Sequence, residues 1–256
     1  MNTNDKLHEM DPLSRFSDRA EAYARFRPDY PLALFDAILD GLGDPAGIVV
    51  ADVGAGTGIS SRMLADRGPR VLAIEPNAAM REAADAHPRV EFREASSEAT
   101  GLEAASVQLV TAFQAFHWFD APRALVEFRR VLVPKGRLAV AWNERDEGDP
   151  FTRAYSELVR ELSGDHPAER RASLGSIPFE EYGFVCEKRD HFPHWQEMDL
   201  ESMRGRALST SYLPSEEPGR SHMLERLSVL HDGWADPSGV VRLVYQTSLA
   251  IAHSAE

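Results

Sequence analysis

The sequence predicts an α/β protein whose mostly parallel sheet is covered by helices on both faces. Three observations predict it. Short apolar strands alternate with helices five times between Gly47 and Trp142, and such alternation builds a parallel sheet. A glycine-rich turn, Gly54-Ala55-Gly56-Thr57-Gly58, joins the first of these strands to a helix. Finally, the chain has 256 residues, 43% hydrophobic and 27% charged, which supplies a full core without staples.

The elements follow in order. Residues 1–15 are polar and expected to be flexible. A helix over 31–42 places Leu34, Phe35, Ile38, Leu39 and Leu42 on one face, with Gly43 as its stop. Gly47 to Val53 reads as a buried strand, and the helix after the glycine turn runs from Gly58 to Arg67, where Gly68 stops it. Arg70 to Glu75 is the second strand. Asn77 caps a helix reaching His87. Val90 to Glu94 and Val107 to Phe113 are the third and fourth strands. Asp120 caps a helix with Pro122 in its first turn and Leu125, Phe128, Val131 and Leu132 on its apolar face. Pro134-Lys135-Gly136 turns into the fifth strand, Arg137 to Trp142.

The second half is less regular. Asp149-Pro150 opens a helix with Phe151, Tyr155, Leu158 and Leu162 inward. Phe184 to Phe192 is a strand, Asp199 caps a helix to Ser209, and Ser215 to Leu230 holds another. Val240 to Ala252 alternates as a long strand. Two late strands should complete the sheet, and the helices between strands five and seven should form a lid over its open edge.

Charge narrows the function. The formal net charge is −13 and the pI about 5.2. No basic run exceeds Arg129-Arg130 or Arg170-Arg171, which argues against a nucleic-acid partner. The single cysteine, Cys186, allows no internal disulfide; it sits in a strand pattern and reads as a buried structural thiol in a reducing compartment. The start from Met1 to Asp11 is polar, with no signal-peptide core, and no apolar run is long enough for a bilayer. A cytoplasmic protein without a membrane partner is expected, as a monomer or homodimer.

The glycine turn points to a nucleotide. Glycines let a backbone turn sharply and approach a ligand closely, and in open α/β sheets ligands bind at the carboxyl ends of the strands. A dinucleotide fingerprint needs Gly-x-Gly-x-x-Gly; here Ile59 stands where the third glycine belongs. Asp52 precedes the loop, unfavourably for a pyrophosphate but suitably for the ammonium group of a zwitterionic amino acid. Glu75 ends the second strand, where a carboxylate can accept both hydroxyls of a ribose. No phosphate-binding Gly-x-x-x-x-Gly-Lys-Ser/Thr loop is present.

Taken together, these stretches resemble the class I S-adenosylmethionine-dependent methyltransferases, in the small-molecule branch called type 11. The resemblance runs from Phe16 to Asp146. It is carried by Arg27-Pro28-Asp29-Tyr30-Pro31, the Asp52 to Gly58 loop, Ile74-Glu75-Pro76-Asn77-Ala78-Ala79-Met80, Glu98-Ala99-Thr100-Gly101-Leu102, Gln114-Ala115-Phe116-His117-Trp118-Phe119 and Pro134-Lys135-Gly136. It implies a Rossmann-like seven-stranded sheet, mostly parallel with the last strand antiparallel, and a small helical lid. It implies S-adenosylmethionine as cofactor, with backbone at Gly54, Ala55, Gly56, Thr57 and Gly58 against the methionine part. Glu75 would hold the ribose, Pro76 and Met80 would wall the adenine, and Ser96, Ser97 and Glu98 would meet its edges. Phe113 and Gln114 would face the methyl-donating end, beneath a flap carrying Tyr23 and Arg27. The chain departs from the family pattern at Ser97-Glu98, commonly Ala-Glu, and at Gln108, usually Asp.

The implied activity is methyl transfer to a small molecule, on a carboxylate or hydroxyl oxygen. The alternatives are an NAD-dependent oxidoreductase and a non-catalytic module that only binds the cofactor. His117 is the candidate acid/base; otherwise it packs beneath the lid. Trp118, Asn143, Arg204 and Tyr212 are candidate acceptor contacts; Arg204, Arg206 and Tyr212, in or just after the lid helix, could hold an anionic acceptor or form a solvated face. His191 and His194 lack a third ligand, so no metal is expected. The expected organisation is an N-terminal flap over 1–30, a cofactor-binding core over 31–146, and the remaining strands with a helical substrate lid over 147–256.

Overall fold

The computed structural model describes residues 19–166 and 177–254. The expected flexible start, Phe16-Ser17 and Arg170-Arg171 lie outside them. The first half contains α1 (Ala20–Phe26), α2 (Leu32–Leu39), β1 (Val49–Val53), α3 (Ile59–Ala65), β2 (Arg70–Ile74), α4 (Ala78–Glu82), β3 (Val90–Arg93) and β4 (Val107–Phe113). The second contains α5 (Ala121–Val131), β5 (Leu132–Arg145), α6 (Pro150–Ser163), β6 (Phe184–Met198), α7 (Leu200–Leu208), α8 (Gly219–Trp234) and β7 (Val241–Ser254).

The strands form one seven-stranded sheet in the order β3-β2-β1-β4-β5-β7-β6. Strands β1 to β5 pair in parallel, and β7 runs antiparallel to both β5 and β6. This is the mostly parallel sheet, closed by an antiparallel last strand, that the sequence predicts.

Alternation along the strands feeds two cores. Ala51, Val53, Val110, Ala112, Val140 and Trp142 pack with Leu125, Phe128 and Val131 of α5. Val50, Leu109, Phe113, Ala139 and Ala141 face Leu34, Phe35 and Ile38 of α2 and Leu64 of α3. A third cluster sits beyond the sheet proper. Phe151 and Tyr155 of α6, Met203 of α7 and Leu227 of α8 pack on Met198, Leu243 and Tyr245. The long antiparallel pair β6–β7 thus carries the three lid helices.

Several boundaries differ from expectation. Helix α2 ends three residues before Leu42 because Gly41 already takes a left-handed conformation, φ +76°. Helix α4 ends at Glu82 and not at His87. Strand β5 begins at Leu132 and carries Pro134-Lys135-Gly136 as an irregularity, with Lys135 at φ +61°. Strand β6 continues through Pro193 to Met198. As an edge strand it has no outer neighbour needing the missing N–H. Helix α8 starts only after Pro218 and runs on to Trp234. Gln108 serves the sheet: its side-chain oxygen accepts the Val49 N–H at 2.9 Å. Among the described residues no helix is long and apolar enough to cross a membrane.

One ionic cluster pins the β3–β4 connection. Glu127 of α5 accepts the Thr100 N–H at 2.9 Å and hydroxyl at 2.5 Å, and Arg130 at 2.7 and 2.8 Å. The Arg130 guanidinium holds its carboxyl down to about 2, with Thr100 assisting against burial. The unfolded carboxylate takes up its proton near 4.5 and the folded one only near 2. The contribution is therefore complete above pH 4.5 and lost as pH falls toward 2. Glu127→Gln should cost about 1–2 kcal/mol at neutral pH, allowing for the half-exposed arginine. The deficit should vanish in thermal unfolding near pH 2; a deficit independent of pH would show that the carboxylate charge is not responsible.

Candidate active site

The glycine turn leaves β1 with Gly54, Gly56 and Gly58 all at positive φ, +69°, +57° and +74°. Its start is fixed by Gly54 N–H and Ala55 N–H, which both donate to the Ile74 carbonyl. Beneath it, Asp52 is fully buried. Its Oδ2 accepts Ser60 and Ser61 hydroxyls at 2.7 and 2.6 Å, and its Oδ1 accepts Thr111 at 2.7 Å. Burial raises its pKa against those three hydroxyls. Asp52 does not itself line the cleft; it ties the first turn of α3 and strand β4 under the loop.

Glu75 closes the other side. Its Oε2 accepts the Gly56 N–H at 2.8 Å and its Oε1 the Asn77 N–H at 2.9 Å. Burial raises its pKa, with both amides and the Arg81 charge opposing the shift. A carboxylate offers about four lone-pair positions. The two amides take one on each oxygen and fix its plane, which leaves each oxygen able to accept one hydroxyl of a vicinal diol. A Cβ at Gly56 would stand 3.4 Å from Met80 Cε and 3.8 Å from Tyr23 Cε1. Glycine thus keeps open a slot between a buried thioether and an aromatic ring. Pro76 is half-buried beside it, and Asn77 caps Met80 N–H at 3.1 Å.

Ser96, Ser97 and Glu98 follow β3 as expected, but Glu98 turns toward α5. It accepts the Ser97 hydroxyl at 2.7 Å and the Asp120 N–H at 3.1 Å. Burial would raise its pKa; these bonds outweigh burial and lower it.

A narrow cleft runs from the glycine turn to the lid. Tyr23, Arg27, Gly54, Ala55, Thr57, Phe113, Gln114 and Asn143, all candidate site residues on the sequence, line it. So do Arg206, a candidate anion contact on the sequence, and Tyr30, Ile59 and Tyr245, which the sequence does not single out. Tyr245 has a legible signal: Val241, Leu243 and Tyr245 alternate inward on β7. Tyr30 packs its ring 4.9 Å from Phe113.

The N-terminal segment is latched to the lid. Arg19 donates to the carbonyls of Thr210 and Leu213, Arg27 to Ser209 O at 2.9 Å, and Gln196 to Phe26 O at 2.9 Å. The Arg27 guanidinium lies over the Tyr23 ring at 4.6 Å. A Cβ at Gly205 would come within 2.2 Å of the Phe26 ring, so α7 approaches α1 this closely only with glycine there. Asn143 joins the sheet to the same segment, donating to Asp29 O at 2.9 Å and accepting Thr247 at 2.6 Å. Gln114, at φ +54°, donates to Asn143 O at 3.0 Å.

Other expected contacts lie elsewhere. His117 and Trp118 sit in a short 3-10 turn outside the cleft lining. His117 Nδ1 accepts the Trp142 indole N–H at 3.3 Å, which puts the neutral ring's proton on Nε2. Trp142 packs on the α5 side of the sheet, whereas its neighbour Asn143 serves the cleft. Arg204 donates to Ser228 on α8 at 2.6 Å, and Tyr212 stacks on His166. The lid helix turns Arg206 to the cleft in place of Arg204.

The comparisons with known proteins agree with this geometry. A methyltransferase-domain family model matches residues 51–140. An uncharacterised methyltransferase of Schizosaccharomyces pombe is 32% identical over 207 residues, covering 78% of this chain and 81% of that protein. One from Mycobacterium tuberculosis is 37% identical over 160 residues, 62% of this chain and 63% of its own. The structure of a candidate type II methyltransferase from Anaeromyxobacter dehalogenans is 26% identical with a TM-score of 0.60, covering 90% of this chain and 98% of that one. A Rossmann-like sheet of this order with a glycine loop and an acid after β2 defines a nucleoside-cofactor enzyme. The chain belongs to the class I S-adenosylmethionine-dependent methyltransferases.

Proposed function

We propose that this methyltransferase acts on a small-molecule acceptor, at a carboxylate or hydroxyl oxygen. The observation that carries the reading is the cleft lining. Arg27, Arg206, Tyr23, Tyr30 and Tyr245 contribute to it, while no His, Asp, Glu or Lys among the described residues does. An ammonium acceptor would need a base to release its lone pair and would gain nothing from two arginines. A carboxylate is already ionised at neutral pH and needs no base, whereas a hydroxyl must give its proton to solvent, so the lining favours the carboxylate. When bound, S-adenosylmethionine supplies an activated methyl group for in-line displacement.

The chain supplies alignment and exclusion of water. Glu75 holds the ribose hydroxyls on the acceptor positions its two amides leave. The Gly54 to Gly58 backbone packs on the methionine part, and Met80 and Pro76 wall the adenine. Phe113 and Gln114 border the reacting end. Tyr23 and Arg27, latched to α7, cover it, with Arg27 toward the cofactor's carboxylate.

Calorimetric titration tests the reading. S-adenosylhomocysteine should bind with a Kd of about micromolar order, near −8 kcal/mol, and NADH should not bind. Glu75→Ala should weaken S-adenosylhomocysteine by about 1–3 kcal/mol through lost hydrogen bonds to a charged group. Unchanged affinity in that variant would remove the ribose role. NADH binding would revive the oxidoreductase, and cofactor binding without transfer to any carboxylic acid or phenol would favour a non-catalytic module.

A further inference from the structure

We propose that Arg206 and Tyr245 form a carboxylate-recognition subsite for the acceptor at the lid end of the cleft. The proposal rests on the methyltransferase reading above and names the acceptor's recognised group.

Arg206 is 6% exposed and lines the cleft. Its Nη1 donates to Thr210 Oγ1 at 3.2 Å. Its Nε is buried without a hydrogen-bond partner, and no carboxylate among the described residues pairs with it. Tyr245, 1% exposed, lines the same cleft with its buried hydroxyl beside the guanidinium, where the phenol oxygen can accept from Arg206 and the phenol O–H has no acceptor within hydrogen-bond geometry. Arg204, whose Nε is likewise buried without a partner, does not line the cleft and donates to Ser228 Oγ, while Arg25 pairs with Glu201 at 2.8 Å.

A buried guanidinium without a counter-charge is costly to the fold. Such a cost marks a group kept for a ligand, and here both unused groups are donors. What completes them is an anion with acceptor atoms only. The planar guanidinium fork matches a carboxylate. The adjoining walls, Tyr30, Phe113 and Ile59, are apolar or aromatic, so the acceptor carries an apolar body behind its carboxylate. The cofactor's own carboxylate has the same chemistry, and the test separates the two sources.

Wild type, Arg206→Met, Arg206→Lys and Tyr245→Phe are titrated with S-adenosylhomocysteine. Each saturated complex is then titrated with benzoate, phenylacetate and hexanoate, with their amides, and with phenyl phosphate. At least one carboxylate should bind the wild-type complex, and its amide should not. Arg206→Met should weaken that carboxylate at least about tenfold, with Arg206→Lys and Tyr245→Phe intermediate and cofactor affinity unchanged in all. Arg206→Met should also raise Tm, because it removes an uncompensated buried charge. A parallel loss of S-adenosylhomocysteine would assign the guanidinium to the cofactor and overturn the proposal. So would failure of every carboxylate to bind at millimolar concentration, amides binding equally, or phenyl phosphate binding in preference. Failure of S-adenosylhomocysteine to bind wild type would instead strike the methyltransferase reading itself.

Discussion

Gly56→Arg should abolish binding of S-adenosylhomocysteine, by at least about a hundredfold, or 2.7 kcal/mol, while leaving the fold intact. Two effects are superimposed at this position. The backbone sits at φ +57°, so any side chain adds about 1–2 kcal/mol of strain. The side chain itself must enter the slot between Met80 Cε and Tyr23 Cε1. The first effect is a stability term that a domain of this size tolerates. The second occupies the space in which the cofactor is proposed to lie. Gly43→Arg separates them, because Gly43 has φ +89° and open space where its Cβ would stand. It should show a similar fall in Tm and no change in affinity. If Gly56→Arg binds the ligand as wild type does, the slot is not the cofactor site.

What the sequence discloses and what it hides divide along physical lines. Asp120 and Asn77 were legible as caps because capping is local: each accepts an N–H three residues ahead. The glycine loop was legible because its backbone must visit positive φ. Strand β6 was cut short at Pro193 because its edge position, which tolerates proline, is a property of the whole sheet. Arg206 is the sharper case. On sequence it stands beside Arg204 on one helix, and only the packing of α7 against α1 and α8 turns one to the cleft and the other to Ser228. Asp52 was read as a ligand contact because it adjoins the loop. Its hydroxyl partners lie on α3 and on β4, and Thr111 reaches it only when β1 and β4 pair. His117 reads as an acid/base candidate from its place after β4, and in the fold its Nδ1 accepts the indole N–H of Trp142, which packs on the α5 side of the sheet.

Asp52→Ala should be the most destabilising single change near the loop, and it should lower cofactor affinity without touching the cleft. The carboxylate is 0% exposed, and burial outweighs its hydrogen bonds in setting a raised pKa. A charge held there against desolvation is kept only if its partners need it. Removing it strands the hydroxyls of Ser60, Ser61 and Thr111, at about 1–3 kcal/mol for a buried group left unsatisfied. Because hydroxyls rotate and the helical serines can turn to backbone carbonyls, the total should stay near about 3 kcal/mol. Asp52→Asn keeps one acceptor oxygen and sheds the cost of the buried charge, so it should lose about 1–2 kcal/mol. Ser60 lines the cleft, and α3 hangs from Asp52 through Ser60 and Ser61. Loosening this tie should therefore weaken S-adenosylhomocysteine in the order wild type, Asn, Ala, in step with denaturant midpoints. A variant that lost affinity with an unchanged midpoint would return Asp52 to direct contact with the cofactor.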